Sequence, residues 1–186
     1  MEISVTPGVT GPHFMQAAFV VEDIEAAARQ WARVAGVGPF LLLPHLAIGE
    51  MRYRGRPMDD LDFSVAIAQS GGIQIELIEQ HNDRPSQYRE LIPKGGQGFH
   101  HFCVFSDDYD AALAHYRALG FELALDAVND GVRFCYVDTS PALGCMIELV
   151  EKSDFWSGLF GQVAQAAATW DGQSDPVRTQ LQEKCL

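Results

Sequence analysis

The sequence predicts an α+β fold of two tandem βαβββ modules, and three observations predict it. Segment 16–36 realigns on 101–120, pairing Gln16 with His101, Asp23 with Asp108, Ala27 with Ala112 and Trp31 with Tyr116. The run 72–79 (GIQIELIE) realigns on 144–151 (GCMIELVE), pairing Glu76 with Glu148 and Glu79 with Glu151. Between these anchors, strand-like and helix-like patterns follow one another in the same order in both copies. An internal repeat fixes architecture before any single element does, because the copies bury their apolar faces together.

Taken in order, the apolar run 14–21 reads as a strand. Asp23 then caps a helix whose Ile24, Ala27, Ala28 and Trp31 share one side, and Gly36 stops it. Gly36-Val-Gly-Pro-Phe40 is turn chemistry leading into an apolar strand that ends at Leu43. The polar stretch 47–58 reads as a strand edge or a loop over a site. Strands follow at 63–68 and 73–78, joined by a Gly71-Gly72 hairpin turn. Residues 81–97, punctuated by Pro85, Pro93 and Gly95-Gly96, read as a linker with a short helical pattern at 88–92. The second module repeats the order, with strands at 99–105, 121–125, 132–137 and 144–150 and a helix at 108–119. The first copy is the longer one. Ser153 then caps a helix with Leu159, Val163, Ala167 and Trp170 on its apolar face, stopped by Asp171-Gly172 before a polar tail. The expected organisation is one domain over 1–152 (modules at about 12–80 and 98–152, linker 81–97) and a helical extension over 153–186.

The chain has 186 residues, enough for one full core, and a formal charge of -12. That charge argues against nucleic acid or an anionic membrane as partner. The four cysteines form no CxxC pair, and three sit in apolar strand-like runs, which suits a reducing, cytoplasmic setting. No stretch has the length and apolarity of a membrane span, and the N-terminus lacks the pattern of a secretion signal.

Four polar residues recur at matched strand positions with apolar neighbours on the same face: Gln16, Glu76, His101 and Glu148. Two buried carboxylates facing one cavity repel each other and are costly to desolvate, so a shared cation explains both. An imidazole, an amide oxygen and two carboxylates suit one divalent ion such as Zn, Ni, Co, Mn or Fe. Strict alternation turns His100 to the opposite face, beside Phe102 and Val104, as a structural histidine. His13 is a rival to Gln16 only if Gly11-Pro12 rotates it inward. Glu79 and Glu151 have the opposite parity and are assigned to solvent; His45, His81 and His115 are given no specific role. Arg52, Arg54 and Arg56 form the single basic cluster, either a solvated loop or a clamp for an anionic substrate group. No GxSxG, P-loop or GxGxxG fingerprint is present.

Over about residues 12–152, the paired modules with polar residues on the first and last strand of each resemble the vicinal oxygen chelate superfamily. That superfamily includes glyoxalase I, methylmalonyl-CoA epimerase, extradiol dioxygenases and bleomycin-resistance proteins. The resemblance implies a sheet curved around one metal cleft, with Gln16, Glu76, His101 and Glu148 as ligands in an order similar to eukaryotic-type glyoxalase I. The segment 36–40 is also similar to the group containing the epimerases.

Two departures bear on the choice within the superfamily. Val20 stands where glyoxalase I enzymes with this ligand set carry an Arg for glutathione, and strand 63–68 lacks the epimerases' extra carboxylate apart from Asp62 at its start. An extradiol site of two His and one Glu would have to recruit His13 or His100.

The implied activity is metal-dependent isomerase, epimerase or lyase chemistry on a small carbonyl compound or acyl-CoA. Glu148 is the first candidate for the proton-moving base and Glu76 the second. The alternative is a metal-free small-molecule binding protein of the same fold. The C-terminal helix is expected to cover an outer surface or a homodimer contact.

Overall fold

In the computed structural model, which describes residues 14–179, eleven strands form one sheet. The first module contributes β1 (Phe14–Val20), α1 (Ile24–Ala35), β2 (Phe40–Leu43), β3 (Glu50–Tyr53), β4 (Arg56–Pro57), β5 (Phe63–Ser70) and β6 (Ile73–Gln80). After α2 (Gln87–Leu91) come β7 (Gly98–Ser106), α3 (Tyr109–Ala118), β8 (Leu123–Asn129), β9 (Val132–Val137), α4 (Ser140–Leu143) and β10 (Met146–Glu151). The chain continues through α5 (Asp154–Ala168) to β11 (Val177–Arg178).

The strand order is β11-β2-β5-β6-β1-β7-β10-β9-β8-β3-β4. Its centre is the antiparallel pair β1 and β7, and each half reads outward from there in the same way, β6-β5-β2 on one side and β10-β9-β8 on the other. The extra length of the first copy is the β3-β4 hairpin. It does not stay with its own half but pairs antiparallel with β8, at the far edge of the other. Residues 44–49 therefore cross from β2, next to one edge of the sheet, to β3, next to the other, and they can do so because the sheet is curved and unclosed.

Alternation along the strands gives two apolar faces. Ala17, Ala66, Ala68, Ile75 and Leu77 lie in one cluster with Ile24 and Ala28 of α1. Val104, Val137, Ile147 and Leu149 lie in another with Tyr109 and Leu113 of α3. The concave face carries a third cluster, which includes Ala18, Val20, Val65, Ile78, Leu125, Tyr136 and Met146. Both module helices begin as their sequences demand: Asp23 accepts from the Ala26 N–H at 2.9 Å and Asp108 from the Ala111 N–H at 3.0 Å. Gly36 ends α1 at φ +66, and its N–H bonds the Ala32 carbonyl.

Several expectations need correction. The C-terminal helix does not cover an outer surface: α5 packs on the concave side, where Val163 is fully buried in the central cluster. The Phe160 ring lies 5.2 Å from Phe105 of β7. The tail beyond Asp171 is not merely polar connection, because β11 adds a parallel strand to β2. The segment 81–97 is more than a linker, since Ser86, Gln87 and Tyr88 are buried. Ser86 caps α2 by accepting from the Arg89 N–H, and its hydroxyl donates to Gln80 Oε1 at 2.6 Å. Glu79 and Glu151 are not simply solvated either. Glu79 Oε2 accepts from the Ile24 N–H at the start of α1, and Glu151 pairs with Arg133 at 2.8 Å. Among the described residues, no helix is long and apolar enough to cross a membrane.

Candidate metal centre

The central strands align the four repeated polar residues in two neighbouring rungs of the sheet. One rung reads Glu76, Ala18, His101; the next reads Gln16, Cys103, Glu148. Each is the other's counterpart in the duplicated sequence, with a small side chain, Ala18 or Cys103, standing between two longer polar ones. That leaves room on the concave face for the four polar side chains to converge. All four are at least nine-tenths buried, with His101 fully so. One ligand-type atom each from Glu76, His101 and Glu148 lies within 4.8 Å of the others. Gln16 lines the same cavity, and its Nε2 donates to Gln74 Oε1 at 3.5 Å, which leaves the Gln16 carbonyl oxygen free to act as a donor atom toward a cation.

The electrostatics suit a cation. His101 Nε2 is 3.4 Å from Glu76 Oε2 and 3.3 Å from Glu148 Oε2, too poorly aligned to count as hydrogen bonds. Both His101 Nε2 and Glu76 Oε2 are buried without a hydrogen-bond partner, an arrangement that is costly unless something else satisfies them. Burial alone would lower the His101 pKa, but the two carboxylates outweigh it and hold the imidazole protonated up to about 9. Burial pushes the Glu76 carboxyl up. Burial acts the same way on Glu148, yet His101, the Cys103 thiol and the Tyr136 hydroxyl outweigh it and hold that carboxyl below its ordinary value. A divalent cation fits this donor set: one imidazole nitrogen, two carboxylates and an amide oxygen suit a borderline ion, which would take the place of the His101 proton.

Sequence periodicity misplaced His100. The register of β1 against β7 jumps between Ala18–His101 and Phe19–Phe99, so His100 sits in a β-bulge. Phe99 and Phe102 consequently share the α1 side with their rings 4.7 Å apart, while His100 and His101 both turn to the concave side. His100 is fully buried; its Nε2 donates to the Gln87 carbonyl at 3.0 Å and its Nδ1 lies 3.0 Å from Nδ1 of His101. Burial and the neighbouring His101 push the His100 pKa down to about 3, so the ring is neutral. With its one proton committed to Gln87, His100 accepts from the Nδ1–H of His101, which aims His101 Nε2 at the two carboxylates. Such a chain of bonds would fix the tautomer of His101 toward a cation, and α2 supplies its end through the Gln87 carbonyl.

Two tyrosines were not anticipated. The Tyr136 ring packs edge-on to His101 at 5.0 Å, and its hydroxyl lies 3.4 Å from that of Tyr88. Tyr136 faces Glu148 across β9 and β10, so its place followed from the Glu148 register. Tyr88 is carried by the short α2, and nothing in the local pattern marked it. Burial pushes both hydroxyls well above the ordinary tyrosine range.

Beyond the polar end the cavity, about 90 Å³, is apolar and aromatic, with Leu46, Phe63, Val65, Phe134, Trp156 and Phe160 among its walls. None of Arg52, Arg54 and Arg56 lines it. Arg54, at φ +48 in the β3-β4 turn, is engaged by Glu90 and, at 2.6 Å, by Asp138; Arg52 and Arg56 are exposed. His13 lies outside the described residues. His45, Asp62 and His81 form a second cluster, away from this cavity.

The profile of the glyoxalase/bleomycin resistance protein/dioxygenase superfamily matches residues 15–136. Solved structures similar to this one include methylmalonyl-CoA epimerase from Mycobacterium tuberculosis. The two share 20% identity over 84% of this chain and 97% of that one, with a TM-score of 0.52. A hypothetical protein from Bacillus halodurans C-125 is 16% identical over 76% and 94% of the two chains, with a TM-score of 0.53. A variant of the Streptomyces coelicolor methylmalonyl-CoA epimerase in complex with 2-nitronate-propionyl-CoA is 18% identical over 76% and 95%, with a TM-score of 0.52. At these identities the likeness is one of fold. No curated protein matches the sequence.

Proposed function

The chain belongs to the glyoxalase/bleomycin resistance protein/dioxygenase superfamily, and from that premise we propose a metal-dependent isomerase, epimerase or lyase that moves a proton beside a carbonyl. The observation that carries this reading is the pair of buried, unpartnered atoms His101 Nε2 and Glu76 Oε2 beside Glu148. A divalent cation held by Gln16, Glu76, His101 and Glu148 would supply polarisation of a substrate carbonyl and so acidify the adjacent C–H.

The residues of the chain do the rest. Glu148 is the proton acceptor of choice, because His101, the Cys103 thiol and the Tyr136 hydroxyl outweigh its burial and keep it ionised. Glu76, pushed up by burial, is the second candidate and the better holder of a proton in transit. His100 and the Gln87 carbonyl keep His101 oriented. Trp156 and Phe160 of α5 help keep water from the reacting carbon. The apolar walls favour a small, uncharged organic group in the cleft. The anionic part of an acyl-CoA would have to lie outside it, within reach of Arg52 or Arg56.

Solvent-deuterium exchange tests this. With 2-oxoaldehyde hemithioacetals and 2-substituted acyl-CoA thioesters as probes, the metal-loaded protein should exchange the acidic C–H. Glu148→Gln should lower that exchange by about a hundredfold or more while binding survives. The same apolar walls also favour a second reading, a binding protein of the resistance type. Tight binding of a probe with no exchange, unaltered by Glu148→Gln, would select it over the enzyme.

A further inference from the structure

The second cluster of metal-competent side chains lies on the other side of the sheet. Phe63, Val65 and Ile67 of β5 face the cavity, so Ser64 points away from it, and Glu79 of β6 has the opposite parity from Glu76. Around Ser64 three remote pieces of chain meet: His45 from the crossing segment 44–49, Asp62 before β5 and His81 after β6. One ligand-type atom from each lies within 4.8 Å of the other two. His45 Nδ1 is 2.7 Å from Asp62 Oδ1, and the two imidazole rings lie 4.5 Å apart.

We infer that His45, Asp62 and His81 form a second, solvent-accessible site for a borderline divalent cation of the zinc class. The donor set is two imidazoles and one carboxylate, with the remaining positions open to water. Each histidine is aimed. The His45 backbone sits in the left-handed region at φ +46, and its N–H donates to Ser64 Oγ at 3.0 Å. His81 Nδ1 lies 3.2 Å from the Glu79 carboxylate, which favours a proton there and leaves the Nε2 lone pair for a ligand. At present that nitrogen rests 2.6 Å from the Ser64 hydroxyl, which would turn away. Tetrahedral zinc bonds of about 2.0–2.1 Å place ligand atoms roughly 3.4 Å apart, so closing this cluster needs shifts of about 1 Å. The half-exposed Asp62 and largely exposed His45 side chains can make them.

The site has a structural consequence. His45 immediately precedes Leu46, and Leu43, Leu46 and Ile48 are walls of the cavity. A cation joining His45 to the ends of β5 and β6 would pin the segment that crosses the open edge of the sheet.

Equilibrium dialysis of the intact chain against Zn²⁺, with metal counted per chain, tests the assignment. Wild type should hold about two equivalents; His45→Ala and Asp62→Asn should each hold one, and so should His101→Ala. Both outer substitutions are at accessible positions and spare the core, so folding can be verified by circular dichroism. A wild type that holds one equivalent, lost in His101→Ala and kept in His45→Ala, overturns the outer site and leaves the cleft site standing. One equivalent lost in His45→Ala and kept in His101→Ala supports the outer site and defeats the cleft assignment.

Discussion

The two halves of the sheet set out the same pattern of candidate ligands, yet they support it by different means. In the first, Gln16 leans on Gln74 through one long bond between neutral amides. In the second, His101 is backed by a bulge, a buried neutral His100 and the carbonyl of Gln87. The carboxylates differ in the same sense: Glu148 has Cys103 and Tyr136 to steady its charge, while Glu76 Oε2 has no hydrogen-bond partner. The duplication thus supplied positions twice and precise chemistry once. The second half is the one that stabilises charge, and the first would complete the coordination of a cation.

That asymmetry can be broken. His101→Ala removes the one nitrogen ligand and leaves two buried carboxylates facing each other, so zinc affinity in the cleft, measured by competition with a chelator, should fall about a thousandfold or more. Gln16→Ala should cost only about tenfold, because a water can take its place. Equal losses would mean that the halves contribute alike.

The support chain gives the next largest effect. His100→Leu keeps the volume but deprives the His101 Nδ1–H of its acceptor, and metal affinity should drop roughly 10- to 100-fold with no ligand altered. An unchanged affinity would show that His100 only fills space, as strict strand alternation had suggested.

That residue also marks the limit of what the sequence could tell. The repeat located both modules, the order of strands within each half and the four converging residues, because duplication copies register and a strand's period of two is rigid. A one-residue bulge breaks the period locally, and nothing in Phe99-His100-His101-Phe102 announces it. The remaining surprises are tertiary. The β3-β4 hairpin crosses to the other half, α5 packs on the concave face, and Tyr88 arrives on a helix of five residues inside what reads as a linker. Each depends on contacts between segments far apart in the chain, which local pattern does not encode.

A smaller effect concerns protons. Metal-free His101 stays protonated up to about 9, so uptake below that pH must release a proton. The apparent affinity should rise about tenfold per pH unit from 6 to 8, before other linked groups are counted. A flat profile would mean that the imidazole is neutral before metal arrives. Smallest of all should be Phe160→Ala. Its ring is half-buried over Phe105, so thermal unfolding should report a loss of only about 1–3 kcal/mol. Metal affinity should be unchanged, because α5 closes the apolar end of the cleft and not the polar one.

Whether the two rungs meet at one cation can be seen by anomalous scattering from a zinc-loaded crystal. A peak should appear on the concave face at about 2.0–2.2 Å from His101 Nε2, from Glu76 and Glu148 carboxylate oxygens and from the Gln16 amide oxygen. A fully loaded protein with no peak in the cleft, or with a peak bonded to His100 in place of His101, would contradict it.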